Sequence, residues 1–167
     1  MLTFPQIAAL YVPDPGEHLR IAAGRGLVCP PDVFEQIFHE PHADPIFAAA
    51  VQSIDWLPVR WREAELSGGA LEQVHIPRDY ERAVEEARAD VIAEGLTDER
   101  AAVVAHWGSH QSWFRLPILV TGDVVGRPVA YELLVGFTRL GNLLGLIDRR
   151  EVPRQKRHRV WIGSATV

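Results

Sequence analysis

The sequence predicts an α+β fold, a small mixed sheet with helices packed on it, preceded by an N-terminal helical extension. Three observations carry this. Proline and glycine interrupt residues 1–56 so often (Pro5, Pro13, Pro15, Gly16, Gly24, Gly26, Pro30, Pro31, Pro41, Pro45) that only short helices fit between them. The stretch from Arg78 to Glu94 has a helical stripe of Tyr80, Val84, Ala87 and Val91. Two apolar runs, "LPILVTG" and "VAYELLVG", flank the turn "VVGRP" and read as strands, and helix-like and strand-like segments follow them.

In chain order, "PPDVFEQIFHE" predicts a helix capped by Asp32, with Val33, Phe34, Ile37 and Phe38 on one face. "DPIFAAAVQSI" predicts a second, with Pro45 at its first position. Residue 57 begins a new pattern and a second domain, 57–167. "LPVRWREAEL" alternates Val59 and Trp61 against Arg60 and Arg62 as a half-buried strand does, and its phase slips near Glu63. "SGGALEQVHIPRDY" is a turn-rich connection into the helix that ends at Gly95. "TDERAAVVAHW" predicts a shorter helix capped by Thr97. After the two apolar strands come a helix from about Phe137 to Asp148, a basic loop, and a last strand in "HRVWIG". No internal repeat or low-complexity tract interrupts this order.

A chain of 167 residues suffices for one domain with a small appendage, and at 47% hydrophobic and 23% charged residues it has a globular composition. No apolar run approaches the roughly 18 residues that cross a bilayer, so no membrane association is expected. The start, "MLTFPQIAAL", lacks the basic region of a secretion signal, and a lone Cys29 makes no internal disulfide; both point to the cytoplasm. The net charge of -5 argues against a uniformly basic nucleic-acid coat. The charges are nonetheless segregated: Asp79, Glu81, Glu85, Glu86, Asp90, Glu94, Asp98 and Glu99 lie in one stretch, and Arg149, Arg150, Arg154, Lys156, Arg157 and Arg159 in another.

"YELLVGFTRLGNLLGL" is the most informative segment. A strand meets Gly136, and the helix that follows carries Arg139 in its first turn, where the peptide dipoles make a cation unfavourable by about 0.3–1 kcal/mol. Gly136 permits a sharp turn, and the N–H groups of Phe137, Thr138 and Arg139 at the helix start form an anion site. A phosphate there reverses the penalty, because the guanidinium forks onto its oxygens and Thr138 adds a hydroxyl donor. The competing reading is a salt bridge from Arg139 to Glu132 or Asp148. Leu140, Leu143, Leu144 and Ile147 form the core stripe of this helix, and Gly141 and Gly145 on its flank permit close approach of a neighbour.

This strand, glycine, two variable residues, arginine and small-residue helix resembles the ParB/sulfiredoxin superfamily, whose G-x-x-R turn binds nucleotide phosphates. The elements around it are similar over residues 57–162: "EAELSGGALEQVHIPRDYERAVEEARADVI" looks like the first strand, connector and first core helix, and "LPILV" like the strand before the motif-bearing hairpin. The resemblance implies a nucleoside di- or triphosphate held by Gly136, Thr138 and Arg139, with Mg²⁺ supplied by the nucleotide. It offers Ser109, His110 and Gln111 as ligand contacts, because the superfamily brings a loop beside the turn at that point; an ordinary capped, polar connecting loop is the competing and stronger reading. Phosphoryl transfer or nucleotide hydrolysis is the natural reaction class, with His110 and Glu132 as candidate bases. Sulfinic acid reduction is not expected, since Phe137 stands where sulfiredoxin has cysteine. DNA clamping of the partition type is not expected either: Phe137 and Thr138 replace two residues of the G-E-R-R turn, and no helix-turn-helix follows. Two readings from other classes remain: a non-catalytic module that presents a degenerate core to a protein partner, and nucleic-acid binding or cleavage through residues 149–159, with Arg154, Lys156, Arg157 and Arg159 on phosphates.

No metal site is expected. His106 and His110 are four apart, but Gly108 argues against a continuous helix and no third ligand is evident. "HEPHAD" (His39, Glu40, His42, Asp44) reads as a surface loop, because Pro41 prevents the helical H-E-x-x-H geometry. Cys29 reads as a buried apolar residue, Trp107 and Trp113 as core, and "IAAGRGL" as a turn.

Overall fold

The computed structural model describes residues 1–96 and 101–165, so the predicted Thr97 cap, Asp98 and Glu99 lie outside the described residues. The chain forms two compact units. The first comprises Met1–Arg62, Val120–Val129 and the end of the chain from Ile162; the second comprises Glu63–Leu119 and Ala130–Trp161. The first therefore takes in more of the chain than residues 1–56.

Up to Arg62 the first unit has the helices α1 (Phe4–Ala8), α2 (Pro15–Ala23), α3 (Pro31–Phe34) and α4 (Pro45–Val51), and α3 continues into a π-helical turn, Glu35–His39. Each of the four has proline in its first two positions, where the missing N–H has no helical partner to lose. Asp14 and Asp44 cap α2 and α4. Asp32 does not cap α3; Pro30 holds that position, and Asp32 instead accepts from the Gln36 side chain at 3.2 Å. The predicted face of Val33, Phe34, Ile37 and Phe38 is fully buried. Phe38 meets Phe4, Phe34 and Trp56 at centroid distances of 6.2, 5.4 and 5.1 Å, and Phe47 meets Phe4 edge-on at 5.5 Å. This aromatic cluster is the core of the unit.

The rest of the chain adds β1 (Arg60–Ser67), α5 (Gly68–Leu71), α6 (Arg78–Glu94), α7 (Ala101–His110), β2 (Ile118–Thr121), α8 (Gly122–Val125), β3 (Tyr131–Val135), α9 (Phe137–Asp148) and β4 (Arg157–Ser164). The strands form a mixed four-stranded sheet in the order β1-β4-β2-β3, so the fold is α+β as expected. In β1 the alternation slips where Arg62 and Glu63 are both exposed, at the residue where the pattern had slipped. Two expectations need correction. The turn-rich connection after β1 contains α5, capped by Ser67, and its His75 pairs in parallel with Glu132 of β3. The "VVGRP" turn begins inside α8, which Gly126 ends in a left-handed conformation at φ 66°.

The seam of the second unit is α6 on α9. Val84, Ala87 and Val91 are buried on α6, and Leu140, Leu143, Leu144 and Leu146 on α9. Leu146 is buried where Ile147 had been expected, because α9 turns its glycine flank to α6: a methyl on Gly145 would lie 2.7 Å from Val91 Cβ, and one on Gly141 2.8 Å from Ala87 Cβ. The two backbones approach to a distance that no side chain beyond hydrogen allows. An Arg88–Asp148 pair at 2.6 Å closes the seam.

Candidate functional site

Gly136, at φ 103°, turns the chain from β3 into α9 in a conformation that disfavours every residue with a Cβ. It also supplies space. A Cβ there would lie 2.8 Å from Pro117 Cβ and 3.1 Å from Arg139 Nε. Arg139 therefore folds back across the turn, and its Nη1 donates to the carbonyl oxygens of Arg115 at 2.8 Å and Leu116 at 3.4 Å. These acceptors account for a cation at the positive end of a helix dipole. They belong to neither of the readings drawn from sequence, and of the two carboxylates named there Asp148 is engaged by Arg88.

No side chain caps α9. Its first turn opens onto a cleft of about 480 Å³ whose walls are Ala83, Val103, Trp107, Trp113, Phe114 and Phe137. Arg115, Thr138, Arg139 and Asn142 supply the polar side chains at this cleft. Phe137 stacks on Tyr80 at 4.0 Å and 2°, which fixes the residue that carries the first N–H of the helix. Trp107 and Trp113 are buried, as expected of core residues, and meet edge-on at 6.2 Å. Phe114 is exposed at the rim. Sequence reasoning missed Arg115, Asn142 and Phe114. Asn142 was findable, since it lies on the same helical face as Thr138, four residues earlier.

The other predicted residues are elsewhere. α7 runs through Gly108, contrary to the expected break, so that the rings of His106 and His110 stack at 4.1 Å. Ser109 Oγ donates to Ala105 O at 2.9 Å, His110 Nδ1 lies 3.1 Å from His106 O, and Gln111 Nε2 donates to Glu151 O at 3.1 Å. None of Ser109, His110 and Gln111 lines the cleft. Glu132 is buried, with its carboxylate 3.6 Å from His75 Nε2, and does not line the cleft either. Burial pushes the Cys29 thiol up, away from the reactive thiolate.

The basic run is paired across the sheet and at α5. Arg159 bonds Glu63, Arg157 Nε lies 3.4 Å from Glu65, Arg154 bonds Glu72, and Lys156 donates to His110 O at 2.6 Å. Exposed pairs contribute about 0.2–1 kcal/mol each, and the three carboxylates offset part of the positive charge of the run, whereas Lys156, on a carbonyl, keeps its own. No group of three or more His, Cys, Asp or Glu side chains is arranged to hold a metal among the described residues.

A Ser–His pair also escaped the sequence. His158 is buried on β4 with Nδ1 3.0 Å from Ser112 Oγ, and its Nε2 has no hydrogen-bond partner. No carboxylate orients the other ring nitrogen, so the pair is not a catalytic triad. Burial, reinforced by the Lys156 charge, pushes the imidazole down to about 4. The unfolded chain takes up this proton near pH 6.5 and the native state only near 4. Stability should be complete above pH 6.5 and fall as the pH drops toward 4, by roughly 3 kcal/mol for this group. Urea titrations of wild type and His158→Gln across that window should converge on a shallower pH slope in the variant.

No family model, no curated protein and no solved structure matches the chain. Among the described residues no helix is long and apolar enough to cross a membrane.

Proposed function

We propose that the cleft at the start of α9 binds a nucleotide, with a phosphate on the N–H groups of the first turn, as the resemblance to the ParB/sulfiredoxin superfamily implies. The observation that carries the reading is the junction of an uncapped 12-residue helix with a cleft walled by aromatic side chains. A phosphate on the helix start meets Thr138 and the arginines, while the apolar walls suit a flat ring. Among the described residues no carboxylate lines the cleft, and Mg²⁺ would come with the nucleotide, held by its phosphates. The described lining residues support binding, and the reading is confined to binding.

A thermal-shift screen with ATP, ADP, CTP, GTP and inorganic phosphate, with and without Mg²⁺, tests it. A ligand at about 100 times its dissociation constant adds about 2.7 kcal/mol, a rise of roughly 5–10 °C for a chain of this size. Arg139→Ala also loses its bonds to Arg115 and Leu116, so each protein is compared with its own ligand-free midpoint. The expected result is a shift with one nucleotide that is absent in the variant. No shift with any ligand, or an equal shift in both proteins, would overturn the reading.

A further inference from the structure

The "HEPHAD" segment is a turn with Glu40, Ala43 and Asp44 exposed, as a surface loop would have them, but its two histidines are drawn inward. His39 ends the π-helical turn, His42 follows it, and both rings are half-buried beside His18, which is completely buried on α2. His18 Nε2 lies 3.0 Å from the Ile7 carbonyl oxygen of α1, so Nε2 carries the proton and Nδ1 a lone pair. His39 Nδ1 is 3.3 Å from that lone pair and must donate to it. His42 Nδ1 donates to His39 O at 2.8 Å. Tyr11 lies over the group, stacked on His42 at 3.6 Å and on His39 at 5.2 Å. The tautomers of one chain of rings thus join α1, α2, the π turn and the segment after it.

From this geometry we infer that His18, His39 and His42 form a pH-sensitive latch of the helical unit, in which protonation of His18 breaks its bond to His39 and separates α1 and α2 from the π turn. A second proton on His18 would sit on Nδ1, directly opposite the N–H of His39. α1 carries no charged residue; Glu17 of α2 is engaged by Arg20; Asp32 of α3 accepts from Gln36; Asp14 and Asp44 cap their helices; Glu35 and Glu40 bracket the π turn. The charges that act on the ring are those of His39 and His42, of the same sign as the incoming proton. Burial is the largest cause that lowers the His18 pKa, the Ile7 bond opposes it, and the two histidines lower it further. The latch is therefore closed above the ordinary histidine range and opens as the pH falls below it.

Amide hydrogen exchange between pH 7.5 and 5 tests the latch, read as protection factors for Ile7, His18 and Gly24, whose N–H groups close the turns of α1 and α2. The His158→Gln background removes the other buried histidine from the same window. Protection should fall about tenfold per pH unit below 6.5, as one proton taken up on opening requires. His18→Gln should abolish the slope. Should that variant fail to fold, His39→Gln decides: its amide can turn to accept from protonated His18, so the slope shrinks at least threefold and the His18 ring titrates at higher pH. Flat protection factors in the parent, an unchanged slope in either variant, or an Nδ1–H tautomer of His18 in the ring nitrogen spectrum at pH 7.5 would overturn the latch.

Discussion

Gly141→Ala should lower the melting temperature, although alanine is the better helix former. Intrinsic propensity favours the substitution by about 1 kcal/mol in a helix interior. Packing opposes it: the new methyl meets the Val84 carbonyl oxygen and lies 2.8 Å from Ala87 Cβ and 3.2 Å from the Arg88 nitrogen. Two of these three atoms are backbone and cannot turn away, so α6 and α9 must separate along the seam. Overpacking of this kind costs about 1–3 kcal/mol and more where backbone must move. We expect a net loss of about 2 kcal/mol, or roughly 4–8 °C. Gly108→Ala is the matched control, because an added methyl there has nothing within 4 Å on an exposed face of α7. It should stabilise by up to about 1 kcal/mol. Opposite signs for the same substitution in two helices, read by calorimetry, separate packing from propensity.

The largest loss is expected at Phe38→Ala. Phe38 is fully buried and touches Phe4, Phe34 and Trp56, so the truncation removes a ring from the centre of the aromatic core. Removing a buried phenylalanine costs about 3–5 kcal/mol, and the edge-on contact with Trp56 is part of that loss. Against a total stability of about 5–15 kcal/mol this is a large fraction. Phe38→Leu keeps most of the volume and should cost about 1.5 kcal/mol. Urea unfolding followed by tryptophan fluorescence measures both, and equal midpoints for the two variants would contradict this account of the core.

The helices were legible wherever a local signal marked both the face and the end. α6 and α9 begin and end at the predicted residues because Gly95 and Gly136 adopt positive φ and the apolar stripes have a single period. The last turn of α7 was not, because Gly108 weakens a helix without forbidding it, and the packing of Trp107 overrides a loss of about 1 kcal/mol. Of the candidate site, the glycine turn and its arginine were readable, since strand, glycine and helix are contiguous. The carbonyl acceptors that Arg139 meets were not: those of Arg115 and Leu116 lie 24 and 23 residues away, and every residue type possesses such an oxygen. The same holds for the pairing of Glu63 with Arg159 across 96 residues, which depends on β1 and β4 being neighbours. His18 carried no sequence signal, because one histidine in an amphipathic helix says nothing of the two that will meet it.

The most direct test of the central claim is to follow the backbone amide resonances of Phe137 and Thr138 while the nucleotides are titrated in. The account predicts that one nucleotide moves both signals, saturably and ahead of amides remote from the cleft, and that Arg139→Ala removes the response. Saturable binding that leaves both amides unmoved, or no binding by any nucleotide, would contradict a phosphate site at the start of α9.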